Sequence, residues 1–248
     1  MNYNTYIIDT VALQNKFNSS IDSKWLERKD FKWDLCIFVE VGEMLASTGY
    51  KHWKNEKLDL ENIKMEIVDI YHFWLSWALF QLNKYNIQGM KNDLREIMIQ
   101  EMKQYYDNKF LNYNPLILQT EKKQLYKEHF IKELKEKSFK LTSFLINQES
   151  KTTTELIRDS FYSLLELIHI CFENFEDFYA LYLAKNALNK FRQDNGYKTG
   201  NYKKIWHGNM EDNYHVSKII DDIKKLTNYN DLLNIDYILI KMAEEYQK

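Results

Sequence analysis

Two helix-forming stretches decide the fold of this chain: KWDLCIFVEVGEMLAS at residues 32–47 and DLENIKMEIVDIYHFWLSWALFQLNKYN at residues 59–86. The first has apolar residues at helical spacing, namely Leu35, Phe38, Val39 and Leu45. Gly49 predicts the end of that helix. Asp59 predicts the start of the second, because its side chain can accept hydrogen bonds from backbone N–H groups of the first turn. The polar stretch Tyr50–Lys57 between them predicts a loop.

The composition favours an all-α fold. The 248 residues include only 6 Gly and 1 Pro, whereas sheet-rich folds need turn residues at frequent intervals. Hydrophobic residues make up 45% of the chain, which excludes a disordered protein. Local start and stop signals place the remaining helices. They are predicted from Tyr6 to Phe17 with a break at Asn18–Ser20, from Gly89 to Phe110, after the Asn114–Pro115 pair, over Lys122–Lys140, from the Thr152–Glu155 capping box to Glu173, from Glu176 to Gln193, and twice near the C-terminus.

No repeat or low-complexity linker marks a boundary, so we expect a single all-α domain over residues 1–248. Cys36 and Cys171 each lie in an apolar run, which indicates two buried free thiols in a reducing compartment. The N-terminus shows no signal-peptide pattern, and the apolar stretch Tyr71–Leu82 is too short to span a bilayer. A net charge of -2 provides no positive field for nucleic acid. These observations predict a cytoplasmic protein without a nucleic-acid or membrane partner.

Two pairs of acidic residues lie inside the stretches that decide the fold. Glu40 and Glu43 are three residues apart in the first, and Glu66 and Asp69 in the second, so each pair projects from one helix face. Their neighbours are apolar, and burying carboxylates is costly unless a cation neutralises them. Because these ligands are all oxygens, the expected ion is Mg²⁺ or Mn²⁺ rather than zinc. Antiparallel helices would bring the two pairs face to face, although the same acids could be solvated surface charges.

A second unusual segment runs from Asn189 to Asn213. It contains five cations, several aromatic hydroxyl or N–H donors, and Gly196 and Gly200. Glycines permit close approach of the backbone to a ligand, and cations with polar donors suit an anion. The segment therefore indicates either an anion-binding loop or a solvated basic loop whose aromatic rings pack on neighbouring helices.

Both segments resemble those of a known family. The acidic segments are similar to the signature of the all-α nucleoside triphosphate pyrophosphohydrolases, and most similar to that of the dimeric dUTPases: Glu40-Val-Gly-Glu43, Tyr50-Lys51-His52-Trp53-Lys54 and Glu66-Ile-Val-Asp69. The basic segment resembles a further dUTPase motif, with Arg192, Gly196-Tyr197-Lys198, Gly200, Tyr202, Lys204 and Asp212-Asn213 in the same order. The resemblance implies that the four acids hold Mg²⁺ in a helical bundle core. It also implies that Glu40 or Glu43 orients or deprotonates the attacking water.

The activity implied by the resemblance is hydrolysis of dUTP to dUMP and pyrophosphate by a magnesium-dependent homodimer, which also accepts dUDP. The β- and γ-phosphates are expected at Arg192, Lys198 and Lys204, with Tyr202 and Asn213 in support. Residues from about 88 to 150 carry no recognisable motif, and in the family such a segment is a variable helical insert.

The resemblance also implies contacts to the base and the sugar. Gln14 and Asn18 match the family's uracil-binding segment, since one Gln and one Asn can together satisfy the donor and acceptor edge of uracil. Phe73 lies where the family places an aromatic ring against the sugar, and Trp53 where one faces the nucleotide. From the residues alone, Asn18 could instead be a helix cap, Phe73 a core residue and Trp53 a loop aromatic.

An alternative from another class is a di-iron carboxylate four-helix bundle, an oxidase or iron-binding protein, which uses two Glu-x-x-His pairs. Glu166 and His169 form one such pair, and Asp69 and His72 a looser one. With only one true pair present, and no role there for Glu40-x-x-Glu43, the alternative is the weaker hypothesis. We expect His169 to form a hydrogen bond within a packed helix pair instead.

Overall fold

The computed structural model describes residues 3–28, 30–51, 53–54, 56–85, 89–109, 124–146, 151–208 and 210–247. Within these ranges the chain is mostly helical and has only two short strands, so the predicted all-α fold is confirmed. The helices are α1 (Tyr3–Ile21), α2 (Trp33–Ala46), α3 (Leu60–Lys84), α4 (Met90–Lys109), α5 (Gln124–Ile146), α6 (Thr153–Cys171), α7 (Phe175–Asp194), α8 (Asp212–Lys224), α9 (Tyr229–Leu232) and α10 (Ile235–Tyr246). Short 3-10 turns occupy Trp25–Glu27 and Tyr197–Thr199. An antiparallel hairpin joins β1 (Ile205–Trp206) to β2 (Met210–Glu211), with Ile205 opposite Glu211 and Trp206 opposite Met210.

The chain forms two compact units, unit 1 (Met1–Phe175) and unit 2 (Glu176–Lys248). The sequence carries no signal for this division, and a single functional domain stays a prediction. The predicted insert at about 88–150 contains α4 and α5, which both pack against α6 in unit 1. The predicted start at Asn114–Pro115 lies outside the described residues. None of the helices that the structure describes has the length and hydrophobicity needed to cross a membrane.

Helix α3 is the central helix of unit 1 and packs against α1, α2, α4 and α6. Asp59 caps it as predicted, accepting a hydrogen bond from the backbone N–H of Asn62 at 3.0 Å. Most side chains between Ile63 and Leu82 are buried. The indole of Trp74 donates to Ser160 Oγ on α6 at 2.9 Å, which satisfies its buried N–H. A helix that is apolar on all sides needs neighbours on all sides, and this places α3 in the core.

Three predictions on unit 1 are wrong in detail. Helix α1 continues through Asn18–Ser20, because the Asn18 side chain bonds to Ser76 of α3 and does not end the helix. On α2, Leu35 and Val39 are exposed, and the buried side chains are Ile37, Val41 and Met44. This helix is apolar on several sides, so spacing alone does not identify its core face. Both cysteines are free as predicted, but Cys36 is only half-buried.

Unit 2 consists of α7, the hairpin and the C-terminal helices. The predicted basic segment begins within the last turns of α7 and continues through a 3-10 turn between Gly196 and Gly200, whose φ angles are +87° and +75°. Glycine adopts this left-handed conformation without strain. Three helices follow β2 rather than the two predicted, because the single turn α9 separates α8 from α10. Asn234 caps α10 by accepting a hydrogen bond from the backbone N–H of Tyr237 at 2.9 Å.

Candidate active site

The two acidic pairs meet because α2 and α3 run in opposite directions. Three contacts at successive levels show this: Ser47 with Asn62, Glu40 with Glu66, and Trp33 with Phe73. The backbone N–H of Asp59 donates to Ser47 O at 2.9 Å and closes the connection. Gly49 turns the chain after α2 with φ +66°, and a Cβ there would lie 2.8 Å from the backbone oxygen of Glu56. Local turn chemistry and helix packing together therefore set the acids opposite one another.

Glu40, Glu43 and Glu66 form a carboxylate cluster, in which one oxygen of each residue lies within 4.8 Å of the others. Glu66 is 7% exposed and accepts a hydrogen bond from Asn62 Nδ2 at 3.0 Å. The side chain of Glu43 is exposed, and that of Glu40 is half-buried. Asp69 is not a member of this group of three, but its charge acts on Glu40. The structure thus joins three of the four predicted ligands and places the fourth beside them.

The carboxylate cluster is electrostatically unfavourable without a cation. Burial raises the pKa of Glu40 to about 8, with further contributions from the charge of Asp69, a hydrogen bond with Glu66, and the charges of Glu66 and Glu43. Crowded carboxylates retain a proton because like charges disfavour ionisation at short range. A divalent cation can replace that proton, and an all-oxygen donor set suits Mg²⁺ or Mn²⁺. The residues therefore fit the predicted metal.

Gln14 and Asn18 lie side by side on α1 against α3, and are 3% and 6% exposed. Gln14 Nε2 donates to Asn18 Oδ1 and to Ser76 Oγ, both at 3.0 Å, and Asn18 Nδ2 donates to Ser76 Oγ at 2.9 Å. His72 Nδ1 lies 2.6 Å from Gln14 Oε1 and is the donor, since an amide oxygen only accepts. The two residues predicted to contact the base are thus brought together in a buried network. Asn18 is not a helix cap.

Phe73 and Trp53 differ in their surroundings. Phe73 is half-buried on α3, with its ring centroid 6.2 Å from that of Trp33. It follows Asp69 by four residues and therefore shares its helix face. Trp53 lies in the loop between α2 and α3, is 65% exposed, and meets the ring of Tyr50 edge-on at 6.3 Å. The structure places Phe73 next to a predicted metal ligand and leaves Trp53 at the surface.

Three of the predicted phosphate-binding residues belong to one network around Asp212 in unit 2. Asp212 is fully buried and pairs with Arg192 through two bonds, Nε to Oδ2 at 2.8 Å and Nη2 to Oδ1 at 2.7 Å. The hydroxyl of Tyr202 donates to Asp212 Oδ2 at 2.9 Å. Asn213 Oδ1 accepts a hydrogen bond from the buried Lys185 Nζ at 2.9 Å. Burial alone would raise the pKa of Asp212, but its bonds with Arg192 and Tyr202 hold that pKa below its ordinary value.

Lys198 and Lys204, the other two predicted phosphate ligands, are exposed. Lys204 Nζ lies 5.8 Å from the ring centroid of Tyr197, and the Arg192 guanidinium lies 5.9 Å from the same ring. Sequence analysis missed Lys185, although a single cation within an apolar run was a usable signal. It also missed Asn62 and Ser76, whose roles depend on contacts with other helices.

The residues of the di-iron alternative have other partners. Glu166 is buried, and its carboxylate oxygens lie 3.2 Å from Lys137 Nζ and 3.0 Å from Lys140 Nζ, both on α5. These two lysines neutralise the buried charge without a metal. His169 meets the ring of Tyr105 edge-on, with the centroids 5.4 Å apart. The structure therefore does not support the alternative.

Comparison with known proteins identifies a family. A family model described as dUTPase matches residues 8–197, which is well over half of the chain. The matched range includes the residues predicted to bind metal, base and sugar, together with Arg192, and it ends before Lys198, Tyr202, Lys204 and Asn213. Among curated proteins no match was found. The chain therefore belongs to the dimeric, all-α dUTPase family of hydrolases.

Proposed function

We propose that this dUTP diphosphatase uses Mg²⁺ at the carboxylate cluster to convert dUTP and water to dUMP and pyrophosphate, and that it also hydrolyses dUDP. One observation carries the proposal: Glu40, Glu43 and Glu66 converge beside Asp69 in a partly buried site. Such an arrangement is unstable as a group of surface charges and is suited to a divalent cation.

The four acids would hold Mg²⁺, which neutralises phosphate charge and lowers the pKa of bound water. Glu40 or Glu43 orients the attacking water or accepts its proton at a carboxylate oxygen. Glu66 keeps its orientation through the hydrogen bond from Asn62 Nδ2, so the cluster is held in position before substrate arrives.

Base and sugar recognition is proposed for α1 and α3. Gln14 and Asn18 offer amide groups to the uracil edge, while His72 and Ser76 hold those amides in place. Gln14 already makes three hydrogen bonds through its amide, so base binding has to replace some of them. Phe73, on the helix face of Asp69, would contact the sugar and disfavour a 2′-hydroxyl. Trp53 is proposed to face the nucleotide from its loop.

Phosphate recognition is proposed for the basic segment of unit 2. Lys198 and Lys204 are exposed and can donate to phosphate oxygens without losing a buried partner. Arg192 is proposed to bind the phosphates with them from the network around Asp212, with Tyr202 and Asn213 in support. Assembly as a homodimer and a cytoplasmic location stay predictions of the family resemblance and of the sequence.

A nucleotide panel tests the proposed function. Chelated enzyme is assayed with dUTP, dTTP, dCTP, UTP and dUDP after addition of Mg²⁺ or Mn²⁺, with release of pyrophosphate and phosphate measured separately. We expect dUTP to be the best substrate, dUDP to release phosphate, and activity to be absent before the metal is added. Equal turnover of dUTP and UTP would contradict the role of Phe73. Full activity in chelator would contradict the metal site.

A further inference from the structure

Unit 2 contains a second group of metal-ligand side chains, formed by His207, His215 and Glu245. One ligand atom of each lies within 4.8 Å of the others. His207 Nε2 and His215 Nδ1 both lie 3.4 Å from Glu245 Oε1. These residues come from the β1–β2 turn, from α8 and from α10, so no spacing in the sequence indicates the group.

Two of the distances in this group match those between the ligands of a tetrahedral metal site. Two ligands about 2.05 Å from a tetrahedral zinc ion lie roughly 3.3 Å apart. Both separations from Glu245 Oε1 are close to that value. Two imidazole nitrogens and one carboxylate oxygen are typical zinc ligands, whereas Mg²⁺ prefers oxygen alone. A fourth position is left for water.

His215 gives an independent indication of a ligand. It is 5% exposed, and neither of its ring nitrogens has a well-aligned hydrogen bond to the described part of the chain, although Glu245 Oε1 lies 3.4 Å from Nδ1. Leaving a buried polar atom without a partner is costly. The ring stacks on Trp206 at 5.1 Å, which fixes its plane and keeps Nδ1 near Glu245. Burial lowers the pKa of His215 and favours the neutral form, which is the form that binds metals.

His207 is positioned by an uncommon backbone conformation. Its φ angle is +49°, and the following Gly208 has φ +83°. Few residues other than glycine adopt this left-handed region. The turn brings the His207 ring to 5.2 Å from that of His215 and its Nε2 close to Glu245.

We propose that His207, His215 and Glu245 bind one zinc-class divalent transition-metal ion, which links the hairpin turn to α8 and α10 within unit 2. The ion would give the buried His215 Nδ1 a direct ligand bond in place of its 3.4 Å contact with Glu245, and it would attach α10 to the rest of its unit. The proposal uses none of the residues assigned to dUTP hydrolysis and is independent of that function.

The first test is zinc titration of the full-length chain after chelation, with excess Mg²⁺ present to occupy the carboxylate cluster. Histidine ring resonances are followed by ¹⁵N NMR, and bound metal is counted after gel filtration. We expect one tightly bound Zn²⁺ per chain, shifts in the ring resonances of His207 and His215, a higher melting temperature, and no such shifts with Mg²⁺ alone. Ring resonances that do not move while zinc binds would overturn the proposal.

The second test uses His207→Ala and Glu245→Gln, since the buried His215 is a poorer choice for a variant that must fold. Each change removes a direct ligand and is expected to weaken Zn²⁺ binding by more than the roughly 10–100-fold that loss of an outer partner causes. His129→Ala and Glu244→Gln alter an exposed histidine of α5 and an exposed glutamate of α10, and serve as matched controls. Wild-type zinc affinity in His207→Ala and Glu245→Gln, as in the two controls, would overturn the proposal.

Discussion

Glu40 couples the proposed chemistry to folding stability. Burial, followed by the charge of Asp69, raises its pKa from 4.5 to about 8 in the metal-free protein. Between these values the folded state holds a proton that the unfolded chain releases. The stability contributed by this group is therefore fully present below pH 4.5 and is lost as pH rises toward 8. The same proton competes with a cation, so metal affinity should increase over this range.

This coupling predicts the behaviour of Glu40→Gln. In chelator, the free energy of unfolding of the wild type should fall more steeply between pH 4.5 and about 8 than that of the variant, because the amide does not titrate. Urea unfolding at a series of pH values measures the difference. Glu61→Gln, at an exposed acid in the first turn of α3, is the control and should follow the wild type. Parallel curves for wild type and Glu40→Gln would mean that the proton is not held at Glu40.

Lys198 is the cleanest test of phosphate binding, because it is exposed. A charge-assisted contact to a phosphate oxygen contributes about 1.5–3 kcal/mol, so Lys198→Ala should lower kcat/KM by roughly ten- to hundredfold. The melting temperature should not change. Lys203→Ala, an exposed lysine of the same segment, is the matched control and should remain active. Wild-type kinetics in Lys198→Ala would exclude this lysine from the phosphate site.

Arg192 requires a different experiment, because its side chain forms a two-bond pair with the buried Asp212. Arg192→Ala should reduce the free energy of unfolding by about 3–5 kcal/mol, since it leaves a buried charge without its cation. Adding Asp212→Asn should restore part of that loss, which urea unfolding can show. A fully stable Arg192→Ala protein would contradict the structural importance of this pair.

At the scale of helices, the sequence predicted the helix starts that depend on residues close together along the chain. Asp59 begins α3, and Thr152 with Glu155 forms the capping box of α6. The spacing of the acidic pairs likewise identified the helix faces of the carboxylate cluster. The continuation of α1 through Asn18 was not predictable, since it depends on a hydrogen bond to Ser76 from another helix. The group of His207, His215 and Glu245 was hidden for the same reason: its members come from three separate elements.

Helix α2 offers a matched pair for testing which face is buried. Val39 is 49% exposed and Val41 is 5% exposed, only two residues apart. Val41→Ala should lower the free energy of unfolding by about 1.5 kcal/mol or more, since it removes two buried methyl groups at about 0.8 kcal/mol each. Val39→Ala should change it by less than about 0.5 kcal/mol. Equal losses at both positions, measured by urea unfolding, would mean that the face carrying Val39 is covered in solution.

For the whole molecule, the two units carry different parts of the proposed chemistry. The family match runs from Ile8 through the rest of unit 1 and into unit 2 as far as Tyr197. The carboxylate cluster belongs to unit 1, and the network around Asp212 belongs to unit 2. Composition predicted the helical class, but the division at Phe175 has no linker of unusual composition to mark it. Contributions to metal and phosphate binding can therefore be separated by variants in one unit at a time.

The carboxylate cluster should lower the stability of the metal-free protein, although dUTP hydrolysis requires it. Glu43→Gln and Asp69→Asn each remove a negative charge from the surroundings of Glu40, which relieves repulsion in the metal-free protein. We expect both variants to lose dUTP hydrolysis while melting at the wild-type temperature or above it in chelator. Acids that serve structural ion pairs would behave in the opposite way, with early melting and nearly normal turnover.

With ligand bound, the order of stability should reverse, because the wild type gains more stability than the variants do. A ligand that binds only the folded state adds about 2.7 kcal/mol of stability at a hundred times its Kd. Mg²⁺ with dUMP and pyrophosphate should therefore raise the melting temperature of the wild type and raise that of Glu43→Gln far less. Glu61→Gln keeps the cluster intact and should show the full wild-type shift. If Glu43→Gln melts early in chelator yet cleaves dUTP at a near-normal rate, Glu43 is a structural residue and the metal site has to be placed elsewhere.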